Sequence, residues 1–165
     1  MAGGLLLAKQ LVKVRFELDP QDWHGHGGEF LWASPTSVSV GDEFELRNSP
    51  FYAKGVSFKD VVKASPSGNE RVFEFESVVR RSGHSTYRLL VEPDSPNFQS
   101  YWRTLEERGC SYEWGPITMN VGRRNHYSID VPPSADIYEV YRLLEKGERD
   151  GVWDFEEGHA HLPQK

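Results

Sequence analysis

The stretch Arg80-Arg81-Ser82-Gly83-His84-Ser85-Thr86-Tyr87-Arg88 gathers one glycine, one imidazole, hydroxyls and three arginines between two strand-like runs. Gly83 allows a positive φ and so a sharp change of chain direction. The imidazole of His84 titrates near neutral pH and can take up or deliver a proton. Backbone amides beside Gly83, together with the Ser85 and Thr86 hydroxyls, form a cradle for an anion or a carbonyl oxygen. Arg80, Arg81 or Arg88 would supply positive charge. The ligand-binding set expected from this chemistry is Asn48, Asp60, Arg81, His84, Ser85 and Thr86, lining a pocket at the seam of two halves. Two other readings stand beside it: proton transfer by His84, and a buried histidine that only locks a junction through a backbone carbonyl. The spacing names no fixed partner for His84, so no catalytic residue is assigned.

Other chemistry-bearing residues are more dispersed. His24-Gly25-His26 and His159-Ala160-His161 each place one residue between two imidazoles, a spacing that brings both rings to one face of an extended chain. No cysteine stands near either pair in structural-zinc spacing, and no resident metal is expected. Cys110 follows Gly109. It would be a nucleophile only with a neighbouring base, His84 or His126, and a depressed pKa; a small buried core residue is the simpler expectation. Glu113 and Glu157 are candidates for a carboxylate pair in acid–base work, or plain surface groups. The chain has no phosphate-binding P-loop, dinucleotide fingerprint or hydrolase nucleophile elbow, so neither ATP nor NAD chemistry is expected, and no cofactor.

The elements that must position these groups follow from periodicity. Val12, Val14, Phe16 and Leu18 alternate with Lys13, Arg15 and Glu17, which predicts a half-buried strand. Further strands are expected at 29–33, 43–47, 60–64 and 71–79, with Ser65-Pro66-Ser67-Gly68-Asn69 as a turn. Short strands at this spacing predict a small barrel-like N-terminal half, residues 1–82. From 83 to 165 the character changes. A strand at 86–91 precedes a helix opened by Pro96-Asn97, carrying Phe98, Tyr101, Trp102 and Leu105 and stopped by Gly109. Strands at 110–114 and 125–131 follow, then a helix capped by Ser134 with Ile137, Val140, Tyr141 and Leu144 on one face. A last strand is expected at 152–156. The order strand-helix-strand-strand-helix-strand predicts a ferredoxin-like half (βαββαβ). The whole is an α+β protein, its β-rich half packed on the ferredoxin-like one. The five tryptophans suit an interface or a pocket, but the core of a small domain is the simpler expectation.

Composition narrows the function class. A net charge of −6 over 165 residues argues against general nucleic-acid binding. A single cysteine excludes an internal disulfide and fits a reducing cytoplasm. Gly3-Gly4-Leu5-Leu6-Leu7-Ala8 is too short to span a membrane and lacks a basic lead, so a frayed start is expected there rather than a signal peptide.

The segments Asn48-Ser49-Pro50-Phe51-Tyr52-Ala53-Lys54-Gly55-Val56-Ser57, Asp60-Val61-Val62, Arg81-Ser82-Gly83-His84-Ser85-Thr86, Gly109-Cys110, Asp130-Val131-Pro132-Pro133 and Gly151-Val152-Trp153-Asp154-Phe155-Glu156-Glu157-Gly158 occur in this order. Together they resemble a bacterial family known as domain of unknown function 4265, over roughly residues 11 to 161. The resemblance implies no catalytic residues, because that family has no assigned activity. The leading expectation is a non-enzymatic cytoplasmic binding protein that regulates, neutralises or carries a partner protein, in an immunity-like way for instance. Its acidic charge would steer a basic partner. The alternative is a small-molecule binder or minor enzyme, with Arg80 or Arg81 holding an anionic group at the seam around His84.

Overall fold

A computed structural model describes residues 11–36 and 42–163. The expected frayed start at Gly3–Ala8 lies outside them. The protein is mixed α+β and dominated by strands, with a closed five-stranded barrel and, among the described residues, two helices. It divides into two compact units, Met1–Ser82 and Gly83–Lys165.

The first unit is the barrel. Its strands β1 (Val12–Glu17), β2 (Gly28–Pro35), β3 (Glu43–Leu46), β4 (Val61–Pro66) and β5 (Val72–Arg80) pair in chain order. Each pairs antiparallel with the next. An up-and-down chain with an odd number of strands returns its last strand in the direction of its first, so the closing pair β1–β5 is parallel. Register shifts in the β4–β5 ladder between Val61 and Val62 and between Lys63 and Ala64 bend the strands inward, which closure requires. The alternation read from β1 is realised: Val12, Val14 and Phe16 point inward, where they meet Leu31, Ala33, Phe44, Leu46, Val62 and Ala64. Burying each of the larger of these side chains contributes about 1.5–3 kcal/mol. The Ser67-Gly68 turn forms as expected, with Gly68 at φ 97° and the Ser67 hydroxyl donating to the Val72 carbonyl at 2.6 Å.

The second unit runs β6 (Ser85–Val91), α1 (Phe98–Glu106), β7 (Ser111–Met119), β8 (Gly122–Val131), α2 (Ile137–Arg149) and β9 (Asp154–His159). Its sheet has the order β7-β8-β6-β9, antiparallel throughout. One face carries Tyr87, Leu89, Val91, Tyr127, Ile129 and Val131. Against these pack Phe98, Trp102 and Leu105 of α1 and Ile137, Val140 and Leu144 of α2. The other face carries Thr86, Arg88, His126 and Ser128, and these too are buried.

Several boundaries differ from the sequence expectation. The cap of α2 is Asp136, not Ser134: its carboxylate accepts from the backbone N–H groups of Tyr138 and Glu139. Asp combines a good cap geometry with negative charge at the positive end of the helix. Strands β7 and β8 run on to Met119 and from Gly122, as one long hairpin rather than two short strands. Strand β9 starts at Asp154 and ends at His159. Val152 and Trp153 stand before it as core residues. Gly147, inside α2, is required by packing: a Cβ there would stand 2.2 Å from the Trp153 indole, whose N–H donates to the Leu144 carbonyl.

Candidate functional site

Three of the six predicted ligand residues lie in the first unit, in or around the connection 47–60. This connection has no regular structure and is shaped by side chains. The Asn48 side-chain oxygen accepts from the Trp32 N–H at 2.8 Å. The Glu29 carboxylate accepts from three consecutive backbone amides, those of Phe51, Tyr52 and Ala53, at 2.6, 3.0 and 2.8 Å. Burial, and then the Glu29 charge, push the Tyr52 phenol above its ordinary pKa. Asp60 is fully buried. It accepts from the backbone N–H groups of Ser57 and Ser82 at 3.0 and 2.8 Å, and from the Arg81 guanidinium at 3.3 Å. Arg81 also donates to the Gly55 carbonyl. Asp60 and Arg81 are thus brought together, whereas Asn48 serves a different strand. All three spend polar atoms on the backbone of their own unit.

The other three open the second unit. Gly83 has φ 91°, and a Cβ there would also crowd the Pro133 ring at 3.2 Å. The turn delivers His84 beside Asp130, with Nδ1 2.8 Å from the carboxylate. This partner was not legible in the spacing. It holds the imidazole in one orientation, the arrangement that fixes a histidine tautomer. The Ser85 hydroxyl accepts from the His161 N–H at 2.8 Å, and Thr86 is buried within β6 between Asp130 and His159. A cavity of only about 50 Å³ adjoins Gly83, Ser85, Pro133 and His161. Ligand pockets run to roughly 300 Å³ and more, so this one has room for little beyond water.

The remaining candidates separate. Cys110 is buried, and its thiol is pushed up to about 12 by burial and then by the charge of Asp130. Such a thiol is not a nucleophile at neutral pH. Glu113 and Glu157 do not pair. Glu113 is on edge strand β7 opposite Ser128, Glu157 is on edge strand β9 opposite Tyr87, and those two rows face opposite sides of the sheet. His24 and His26 stack with ring centroids 5.6 Å apart, and the His24 Nδ1 accepts from the His26 N–H. That bond commits a lone pair a metal would need. Among the described residues no group of three or more His, Cys, Asp or Glu side chains is arranged for a metal ion.

The aromatics are used in two ways. Trp102 and Trp153 fill the core of the second unit. Phe30 and Trp32, two apart on β2, point out of the barrel and are 51% and 48% exposed. The Lys13 ammonium lies 5.7 and 5.2 Å from their ring centroids, because Lys13 is the register partner of Trp32. A large apolar side chain left in water at consecutive outward positions of one strand is what a contact surface looks like.

The family model described as "Domain of unknown function (DUF4265)" matches residues 29–155, well over half of the chain. A structure described as "Novel crystal structure of a hypothetical protein from Neisseria gonorrhoeae" is similar with a TM-score of 0.70 at 16% identity. The similarity covers 93% of this chain and 97% of that one. At that identity the likeness speaks for the fold alone. No curated protein matches the chain significantly. Among the described residues no helix is long and apolar enough to cross a membrane.

Proposed function

The chain belongs to the DUF4265 family, and we propose that it is a non-enzymatic binding protein that docks a partner protein. The observation carrying this reading is the outward Phe30–Trp32 pair with Lys13 over both rings. Aromatic anchors supply contact area at low conformational cost, and they are enriched where binding energy concentrates. The net charge of −6 favours a basic partner at long range, and the rings anchor it on contact. A cytoplasmic setting belongs to the same reading and is supported by the single cysteine. We read the second unit as ferredoxin-like; the antiparallel order β7-β8-β6-β9 around two helices supports this.

The test compares three tagged forms in lysate of the native host: the parent, Phe30→Ser/Trp32→Ser, and His84→Ala. The expected result is one protein held in stoichiometric amount by the parent and by His84→Ala, and lost from the double variant. Binding then has to be reproduced with both proteins purified. Retention of the same proteins by all three forms, or loss only from His84→Ala, would overturn the reading.

A further inference from the structure

The second unit holds a groove that the partner-docking reading leaves unused. It has a volume of about 370 Å³ and is lined by Tyr87 of β6, Tyr138, Tyr141 and Arg142 of α2, Glu157 of β9, and Leu162 beyond it. Its size is that of a small-molecule site. We propose that this groove binds a small zwitterion of amino-acid size, with an ammonium, a carboxylate and an apolar body.

Three observations carry the assignment. First, the groove has charge of both signs at its wall: Glu157 and Arg142 both line it, and among the described residues neither is held in an ion pair. A ligand bearing only one charge would leave the other group facing its like. Second, Tyr87 is 1% exposed, yet its hydroxyl has no hydrogen-bond partner among the described residues. That hydroxyl is not among the enclosed unpaired side-chain atoms, so it opens on the groove, where a ligand can reach it. Burial, and then the charges of Glu157 and Tyr141, push this phenol up to about 12, so it remains an O–H donor at any physiological pH. Third, the walls are aromatic. Tyr87 and Tyr141 lie 6.3 Å apart by ring centroid, and Phe155 backs them at 6.3 and 5.7 Å. Such rings cover an apolar body and attract an ammonium to their faces. In this arrangement Glu157 accepts from the ammonium, Arg142 donates to the carboxylate, and Tyr138, Tyr141 and Leu162 enclose the side chain.

The test is calorimetric titration of the full chain with each standard L-amino acid. The best binder is then repeated as its methyl ester, which keeps only the positive charge, and as its N-acetyl derivative, which keeps only the negative one. The expected result is saturable binding of at least one free amino acid, with each derivative weaker by about tenfold or more. Glu157→Gln should weaken the free amino acid and the ester but leave the N-acetyl derivative unchanged. Arg142→Gln should do the reverse. Both are surface positions, and an unchanged circular dichroism melt certifies the fold. Tyr87→Phe keeps the ring and should lower affinity without moving the melt. No binding by any amino acid, equal binding of either derivative, or indifference to both charge variants would overturn the proposal. None of these outcomes depends on Phe30 or Trp32, so this idea and the partner-docking reading can fail separately.

Discussion

The two units bury their strands differently. In the barrel each strand has an inside and an outside, so in β1 every second residue is buried and those between are exposed or half-buried. In the second unit β6 is buried at six of its seven positions, although Ser-Thr-Tyr-Arg-Leu-Leu-Val carries three polar side chains besides a tyrosine. A strand buried on both faces must satisfy its polar side chains locally. Arg88, 1% exposed, therefore meets Glu156 at 3.1 Å, and Gly158 leaves room for its guanidinium, since a Cβ there would stand 2.8 Å from it. In the barrel the buried charge is Asp60, which ends the connection that the half-buried Glu29 of β2 also holds by its amides. One unit thus uses carboxylates to shape a loop, and the other uses ion pairs to make a polar sheet face tolerable. In neither does a buried charge by itself mark a reaction site.

The sharpest way to break the comparison is at Asp60. Asp60→Ala strands two backbone donors, those of Ser57 and Ser82, and leaves Arg81 only the Gly55 carbonyl; each donor left unpaired costs about 1–3 kcal/mol. Denaturant titration with hydrogen exchange should place that loss in the first unit, with the amides of β6 to β9 keeping their protection. A shared loss would mean that the units do not hold their stability separately. Next comes Gly147→Ala, where the new methyl must displace the Trp153 indole. Overpacking of this kind costs about 1–3 kcal/mol. It should lower the second unit's stability and change the Trp153 fluorescence; an unaltered spectrum would contradict the close approach. The smallest effect is expected for Asp136→Ala, which removes the α2 cap and costs about 1 kcal/mol, whereas Ser134→Ala should leave the melt unmoved.

Much of the fold could be read from residues. The alternation of β1, the apolar spacing of α1 and α2, and the glycines at 68 and 83 each state a local constraint, and local constraints survive in sequence. The α2 cap is written in the sequence too: Asp136 followed three residues later by Glu139 is a capping pattern, and Ser134, two residues earlier, competes with it. The candidate site was less legible. Asp130 lies 46 positions from His84, and Glu29 lies 22 to 24 positions from the amides it holds. Nothing in spacing reveals a partner delivered by strand pairing. Phe30 and Trp32 were hidden for the opposite reason. Aromatic residues in a strand read as core until the register of β1 against β2 shows which side they take.

The parallel seam of the barrel has a kinetic consequence. Every other neighbouring pair of strands is contiguous in the chain, so those ladders can form locally. The β1–β5 seam joins residues 59 apart and has three register pairs, Lys13–Val72, Val14–Phe73 and Arg15–Glu74. Contacts at such separation form late, because loop-closure entropy is lost before they contribute. The seam is therefore the barrel's clasp: the stitch expected to close last and to be let out first when the unit breathes.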